Sequence, residues 1–399
     1  MHSPHSRREF ARTLLAATAS IGALGCQGLS ERSRPKTSAA QRYRMYVGTY
    51  TGPKSQGIHG FTLDAHSGSV DSLGLVATAK DPTFLAVHPN GKSLYAANEV
   101  GEWNGAPGGY VSAYRIDAAS GHLSLLNEQS SVGPGPCHLS VDRTGQCVLV
   151  ANYGGGSVCV LPLNADGSLR PHSAFVQHTG SSINPARQKA PHAHSFNVSP
   201  DNRFAFAADL GLDRIVVYRL AANEGRITPN DPPYAVLTPG SGPRHFAFHP
   251  GGGSAFVINE MTCTLTAFRY DAARGVLTET QTVSTLPPGE IKRPEFSTAE
   301  VVVHPAGRFV YGSNRGHHSI VVFAIEPGTG RLRWIQNEST QGKTPRNFAI
   351  DPSGRWLFAE NQDSDSIFQY RIDLSTGRLS PTGKRWEVGS PVCIRFVAV

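Results

Sequence analysis

The sequence predicts an all-β fold, a seven-bladed β-propeller of four-stranded blades, and three observations lead there. One strand–turn–strand pattern recurs seven times between residue 43 and the C-terminus. Glycine (42) and proline (28) are frequent while long helical periodicity is missing, which marks a turn-rich β protein. The two chain ends carry complementary halves of the pattern, so the repeat can close on itself.

The first half of the repeat is a strand, a tight turn and a second strand ending in Asn or Asp. It reads PTFLAVHPNGKSLYAANE (82–99), PCHLSVDRTGQCVLVANY (136–153), HSFNVSPDNRFAFAAD (194–209), PRHFAFHPGGGSAFVINE (243–260), TAEVVVHPAGRFVYGSN (298–314) and PRNFAIDPSGRWLFAEN (345–361). Proline and glycine supply the dihedrals of a sharp reversal. His88, His249 and His304 precede that proline and are read as turn residues.

The second half is a strand, a glycine-containing turn and another strand. Its glycines, Gly68, Gly121, Gly167, Gly225, Gly275, Gly330 and Gly377, stand 46 to 58 residues apart. Alternating apolar residues flank each turn, as in Ile215–Tyr218 and Ser319–Phe323. Two halves make four strands, which is one blade. There are seven second halves but six complete first halves. Pro391–Val397 resembles the start of a first half, and Tyr43–Thr49 a second strand lacking its first. The C-terminal strand is therefore expected to complete the N-terminal blade and remove the open sheet edges. The propeller domain spans 43–399.

In a propeller the first strand of each blade lines the central channel and the second runs antiparallel to it. Strand-one starts and strand-two ends then share one face of the disc. The starts are Thr83-Phe84, Cys137-His138, His194-Ser195, Arg244-His245, Ala299-Glu300 and Arg346-Asn347. The ends are Asn98-Glu99, Asn152-Tyr153, Asp209, Asn259-Glu260, Asn314-Arg315 and Glu360-Asn361. This set brings histidines, arginines and glutamates to one mouth, where packing alone would favour small or apolar residues. Arginine offers a planar fork for carboxylate or phosphate oxygens. Histidine and glutamate can act as bases near neutral pH. The ensemble suits an anionic or polyhydroxylated small molecule.

One segment breaks the repeat. QHTGSSINPARQKAPHAH (177–194) inserts a polar loop carrying Arg187, Gln188, Lys189, His192 and His194 before an inner strand. His192 and His194 are two apart and would face one way on a strand, but no third ligand of obvious spacing accompanies them, so no metal and no cofactor are expected. The triple glycine at 154–156 reads as a hairpin turn.

The N-terminus predicts export. Ser6-Arg7-Arg8-Glu9-Phe10 is a twin-arginine motif, and the uncharged stretch Thr13–Gly25 is too short to span a bilayer. Ala23-Leu24-Gly25-Cys26 resembles a lipoprotein cleavage box, with alanine where leucine is usual. Residues 1–26 are thus read as a signal peptide and 27–42 as a linker, and the mature protein is expected to be periplasmic, or anchored to the membrane through Cys26. Residues 1–44 carry +6 of the +7 net charge, which leaves about +1 on the remaining 355 residues and argues against nucleic acid. Five further cysteines, Cys137, Cys147, Cys159, Cys263 and Cys393, form no CxxC pair and are read as buried strand residues.

YVGTYT (46–51), RQKAPHAHSFNVSPDNRFAFAADLG (187–211), GPRHFAFHP (242–250), NRGHHSI (314–320) and PRNFAIDPSG (345–354) together resemble the seven-bladed β-propeller lactonase family, which includes propeller-type 6-phosphogluconolactonase. The resemblance covers essentially all of 43–399. It implies metal-independent hydrolysis of a sugar lactone to the aldonic acid at the channel mouth, by site residues at the positions of His138, Arg187 and Glu260. On that basis Glu260 or His138 would activate water, and Arg187 and Arg244 would stabilise the oxyanion. Arg346, with Arg315 or Lys343, would hold a distal carboxylate or phosphate. His192, His194, His245 and Asn259 would supply further substrate contacts. A related propeller that closes a muconate lactone ring, and a non-catalytic propeller binding a sugar acid or protein partner, are the alternatives. A monomer is expected. Export departs from the family's cytoplasmic phosphorylated substrate and favours an unphosphorylated sugar lactone.

Overall fold

Residues 41–399 are described by a computed structural model. The predicted signal peptide, the box at Cys26 and the linker up to residue 40 lie outside the described residues. Within them the chain forms seven four-stranded antiparallel sheets. The inner strands of blades II to VII are Pro82–Val87, Pro136–Val141, Ala193–Val198, Pro243–Phe248, Ser297–Val303 and Pro345–Ile350. Each inner strand packs on the next around the ring, and the ring closes through Pro391–Ala398.

That last strand is the inner strand of blade I. It pairs antiparallel with Arg42–Thr49, from Tyr43 opposite Ala398 to Thr49 opposite Pro391. The expected closure is therefore the one observed, and blade I is built from both chain ends.

Burial follows radial position. The second strands Ser93–Asn98, Cys147–Asn152, Phe204–Asp209 and Trp356–Asn361 are buried at every residue, because neighbouring blades cover both faces. This is why they are runs of Ala, Val, Leu and Phe without polar alternation. The outer strands Leu123–Ser130 and Leu379–Glu387 face solvent and carry Glu, Gln, Lys and Arg. Cores lie between blades: Phe206 of blade IV stacks on Phe246 of blade V at 5.6 Å.

The turn glycines have a packing reason as well as a conformational one. Gly68 has φ 70° and Gly275 φ 69°, and a Cβ on either would lie 2.5 Å from a ring that opens strand two of the preceding blade, Trp356 and Phe204 respectively. On the same face the turn histidines bracket successive blades. Nε2 of His88, His249 and His304 meets the carbonyls of Gly145, Gly307 and Gly354 at 3.1, 2.7 and 2.9 Å. Their Nδ1 atoms accept backbone N–H groups of the turn, which fixes Nε2 as the donor. The five cysteines are free and buried.

Candidate active site

Antiparallel pairing alone would aim only every second residue of an inner strand at the channel. The observed strands do more, because each begins with a β-bulge. Register shifts fall at Pro82/Phe84, Pro136/His138, Ala193/Ser195, Pro243/His245, Thr298/Val301, Pro345/Asn347 and Gly48/Thr49. In five blades the extra residue is Thr83, Cys137, His194, Arg244 or Arg346. A bulge re-aims a side chain without breaking the ladder. Consecutive residues such as Arg244 and His245 can then both serve the mouth. The sequence contains this device, yet it is not visible there as an alternation.

Glu260 is the centre of the charged cluster. Arg187 Nη2 donates to its Oε1 at 2.6 Å. Arg244 Nε and Arg315 Nη2 reach its Oε2 at 3.1 and 3.0 Å. Arg244 also donates to the carbonyl of Ala299, and Arg315 to that of Thr298. Three cations thus share one carboxylate, and the cluster keeps a positive excess. Burial alone would raise the Glu260 carboxyl, but Arg315, Arg244 and Arg187 overcome it and bring its pKa down to about 2. Burial beside Arg346 and Arg315 lowers Arg244 to about 10, which still leaves it charged at neutral pH.

The insertion holds Arg187 in place. Asp209 accepts the backbone N–H of His192 and the ring of His178, whose other nitrogen meets Tyr218 Oη at 2.8 Å. Ser182 is tied to Asp213, and the fully buried Gln188 bonds the carbonyl of Leu210 and the N–H of Asn184. Arg187 itself bonds Tyr153 Oη at 3.1 Å. Of the three cluster arginines, it has the most exposed side chain, at 43%. Tyr153 stacks on His192 at 4.6 Å and meets His194 edge-on at 5.1 Å. His192 and His194 therefore share an aromatic neighbour rather than a common ligand position. Among the described residues no three His, Cys, Asp or Glu side chains are grouped to hold a metal ion.

Beside this cluster lie imidazoles and a phenyl ring. His138 packs on Phe84 at 4.2 Å with the rings tilted by 33°, and His245 lies 5.4 Å from His138 and 5.3 Å from His194. Burial lowers all three histidines, with Arg244 adding to the effect, so they are neutral at neutral pH. Arg346 bonds Tyr50 Oη at 3.0 Å, and Tyr50 and Thr83 both donate to Glu99.

Two predicted substrate contacts stand outside the hydrogen bonds of this cluster. The Asn259 amide nitrogen donates to Thr264 and Thr266 of the adjoining strand and holds a blade corner, as do those of Asn152, Asn314 and Asn361 in theirs, while Asn259 Oδ1 has no partner among the described residues. Lys343 is exposed in the loop before Pro345 and joins none of these contacts. Lys292 was missed: it lines a cavity of about 620 Å³ with Arg187, Glu260, Asn184, Ile183 and Phe296. Its segment, 286–296, lies outside the repeat and gives no periodic signal.

Glu360, next to last in the strand Trp356–Asn361, is fully buried, and neither of its oxygens has a hydrogen-bond partner among the described residues. Burial pushes its pKa well above the ordinary 4.5. The native state therefore holds it protonated while the unfolded chain ionises, and stability falls as pH rises above about 4.5. Glu360→Gln should gain stability relative to wild type as pH rises, by up to about 1.4 kcal/mol per pH unit over that window. Chemical denaturation at about pH 5 and pH 8 checks this. A stability difference between the two proteins that is the same at both pH values would exclude a protonated Glu360.

The family described as lactonase, 7-bladed beta-propeller, matches residues 44–396. A 6-phosphogluconolactonase of Bacillus subtilis is 38% identical over 310 residues, 78% of this chain and 85% of that protein. One from Formosa agariphila is 36% identical over 311 residues, 77% of this chain and 86% of that protein. The solved structure of a periplasmic gluconolactonase from Pseudomonas aeruginosa superposes with TM-score 0.84 at 35% identity, covering 90% of this chain and 99% of that one.

Proposed function

The chain belongs to the seven-bladed β-propeller lactonase family, and from that premise we propose that it hydrolyses a sugar lactone at the channel mouth without a metal ion. The observation that carries this reading is the convergence of Arg187, Arg244 and Arg315 on the single carboxylate of Glu260. Lactone hydrolysis develops negative charge on the carbonyl oxygen. Fixed guanidiniums in a water-poor site stabilise that charge without reorganising during the reaction. Arg187, with its exposed side chain, and the buried Arg244 are the two cations assigned to the oxyanion. Glu260 holds the three arginines together. A carboxyl with a pKa of about 2 is a weak base at neutral pH, so Glu260 is assigned an organising role.

His192 and His194 pack beside Tyr153, and Arg346, hydrogen-bonded to Tyr50, is the candidate clamp for a distal anionic or hydroxylated group. The cavity lined by Arg187 and Lys292 extends this surface outward and suits the polyhydroxyl tail of an aldonolactone. Export through the twin-arginine motif favours an unphosphorylated lactone outside the cytoplasm. The periplasmic location stated for the Pseudomonas aeruginosa relative is consistent with that choice. Purified protein should hydrolyse glucono-δ-lactone above its spontaneous rate and prefer it to the 6-phospho form. Binding of gluconate without turnover of any aldonolactone would instead identify a non-catalytic sugar-acid receptor.

A further inference from the structure

The lactonase reading needs a base that removes a proton from the attacking water, and neither sequence candidate has the right free atom. Glu260 is held by three guanidiniums. His138 presents the wrong tautomer. Its Nδ1 accepts the backbone N–H of Phe196 at 3.2 Å, so in the neutral ring the proton sits on Nε2. His138 therefore offers an N–H to the channel and no lone pair.

His245 has the opposite arrangement. Its Nδ1 lies 2.9 Å from Glu300 Oε1, and a carboxylate can only accept, so Nδ1 carries the proton. That leaves a lone pair on Nε2, which is buried and has no partner among the described residues. Glu300 is itself held: Asn347 Nδ2 donates to its Oε2, and its Oε1 also accepts the backbone N–H of Val301. An unpaired buried imidazole nitrogen is unfavourable unless something occupies it. A carboxylate that fixes the tautomer and leaves the far nitrogen free is the arrangement used by carboxylate–histidine bases.

We infer that His245 is the general base of the lactonase and that Glu300 is its positioning residue, an assignment that rests on the lactonase reading. Nε2 of His245 takes one proton of the attacking water as its oxygen bonds to the lactone carbonyl carbon. Glu300 stabilises the imidazolium and stays ionised. The imidazolium returns that proton to the ring oxygen as the carbon–oxygen ring bond breaks, giving the hydroxy acid and the original neutral imidazole. The groups facing His245 are Glu300, His138, His194, Arg244 and Arg346. Glu300 alone among them favours the imidazolium.

The test compares full-length wild type, His245→Asn and Glu300→Gln on glucono-δ-lactone, measuring kcat, KM and the pH profile of kcat/KM. His245→Asn should lower kcat about 100-fold or more with little change in KM. Glu300→Gln, which keeps shape and volume, should lower kcat about tenfold or more. It should also move the acidic limb of the profile to lower pH, a shift that a purely structural role would not produce. If His245→Asn fails to fold, the limb in Glu300→Gln decides alone. Wild-type kcat in His245→Asn, or an unmoved limb in Glu300→Gln, overturns the assignment while leaving the lactonase reading standing. A wild-type protein that turns over no aldonolactone overturns the reading itself.

Discussion

Glu260→Gln is expected to lower kcat/KM for an aldonolactone by about 100-fold or more, which is about 2.7 kcal/mol of transition-state stabilisation. The carboxylate is the shared partner of Arg187, Arg244 and Arg315. A neutral amide of the same shape leaves three guanidiniums facing each other. Arg187 can swing into solvent, but Arg244, only 2% exposed, cannot. Removing one partner of a buried ion pair costs about 3–5 kcal/mol, so thermal stability should fall as well. Arg187→Ala separates the two effects. Among the described residues that side chain bonds only Tyr153 and Glu260, so its loss should leave the unfolding midpoint nearly unchanged while kcat/KM drops about tenfold or more. Steady-state kinetics beside thermal unfolding of both variants checks the pair. Wild-type kcat/KM in both would remove the insertion and this cluster from the mechanism.

Deleting residues 391–399 should abolish the cooperative fold. The lost strand is the inner strand of blade I, packed between Pro345–Ile350 and Pro82–Val87. Val392, Ile394 and Val397 are buried in it, and their burial contributes roughly 5–9 kcal/mol. That is comparable with the whole stability of a typical domain, about 5–15 kcal/mol. The deletion also strips the partner from Arg42–Thr49 and leaves an open edge inside the ring. Circular dichroism and denaturant titration of the truncated protein should show no single transition. A cooperative transition at the wild-type midpoint would mean that the ring does not depend on this closure.

The architecture was legible in the sequence because a propeller writes itself as a period. Turn glycines and Asn-terminated strands recur, and the odd strand at each end dictates the closing pair. The repeat also put Arg244, Arg315 and Glu260 at strand-one starts and strand-two ends, and these are hydrogen-bonded together. The pairwise chemistry was not legible. Neighbours across blades are far apart in the chain, as with His245 and Glu300 or Arg187 and Glu260. The repeat places both in the ring without saying which leans toward which. Tautomers are set by such contacts, so the family resemblance that named Glu260 and His138 as base candidates could not choose between them. Asn259 was assigned to substrate because strand-two ends face the mouth, yet its amide serves the adjoining strand. The bulges that let adjacent residues reach the channel leave no mark in the apolar pattern.

The most direct measurement is the position of a bound aldonate, such as gluconate, in a crystal structure of the protein. The account predicts its carboxylate within about 3 Å of Arg187 and Arg244, beside the channel histidines. Gluconate bound instead on the turn face, in the groove lined by His66, Trp356 and Arg371, with the mouth left empty, would contradict it.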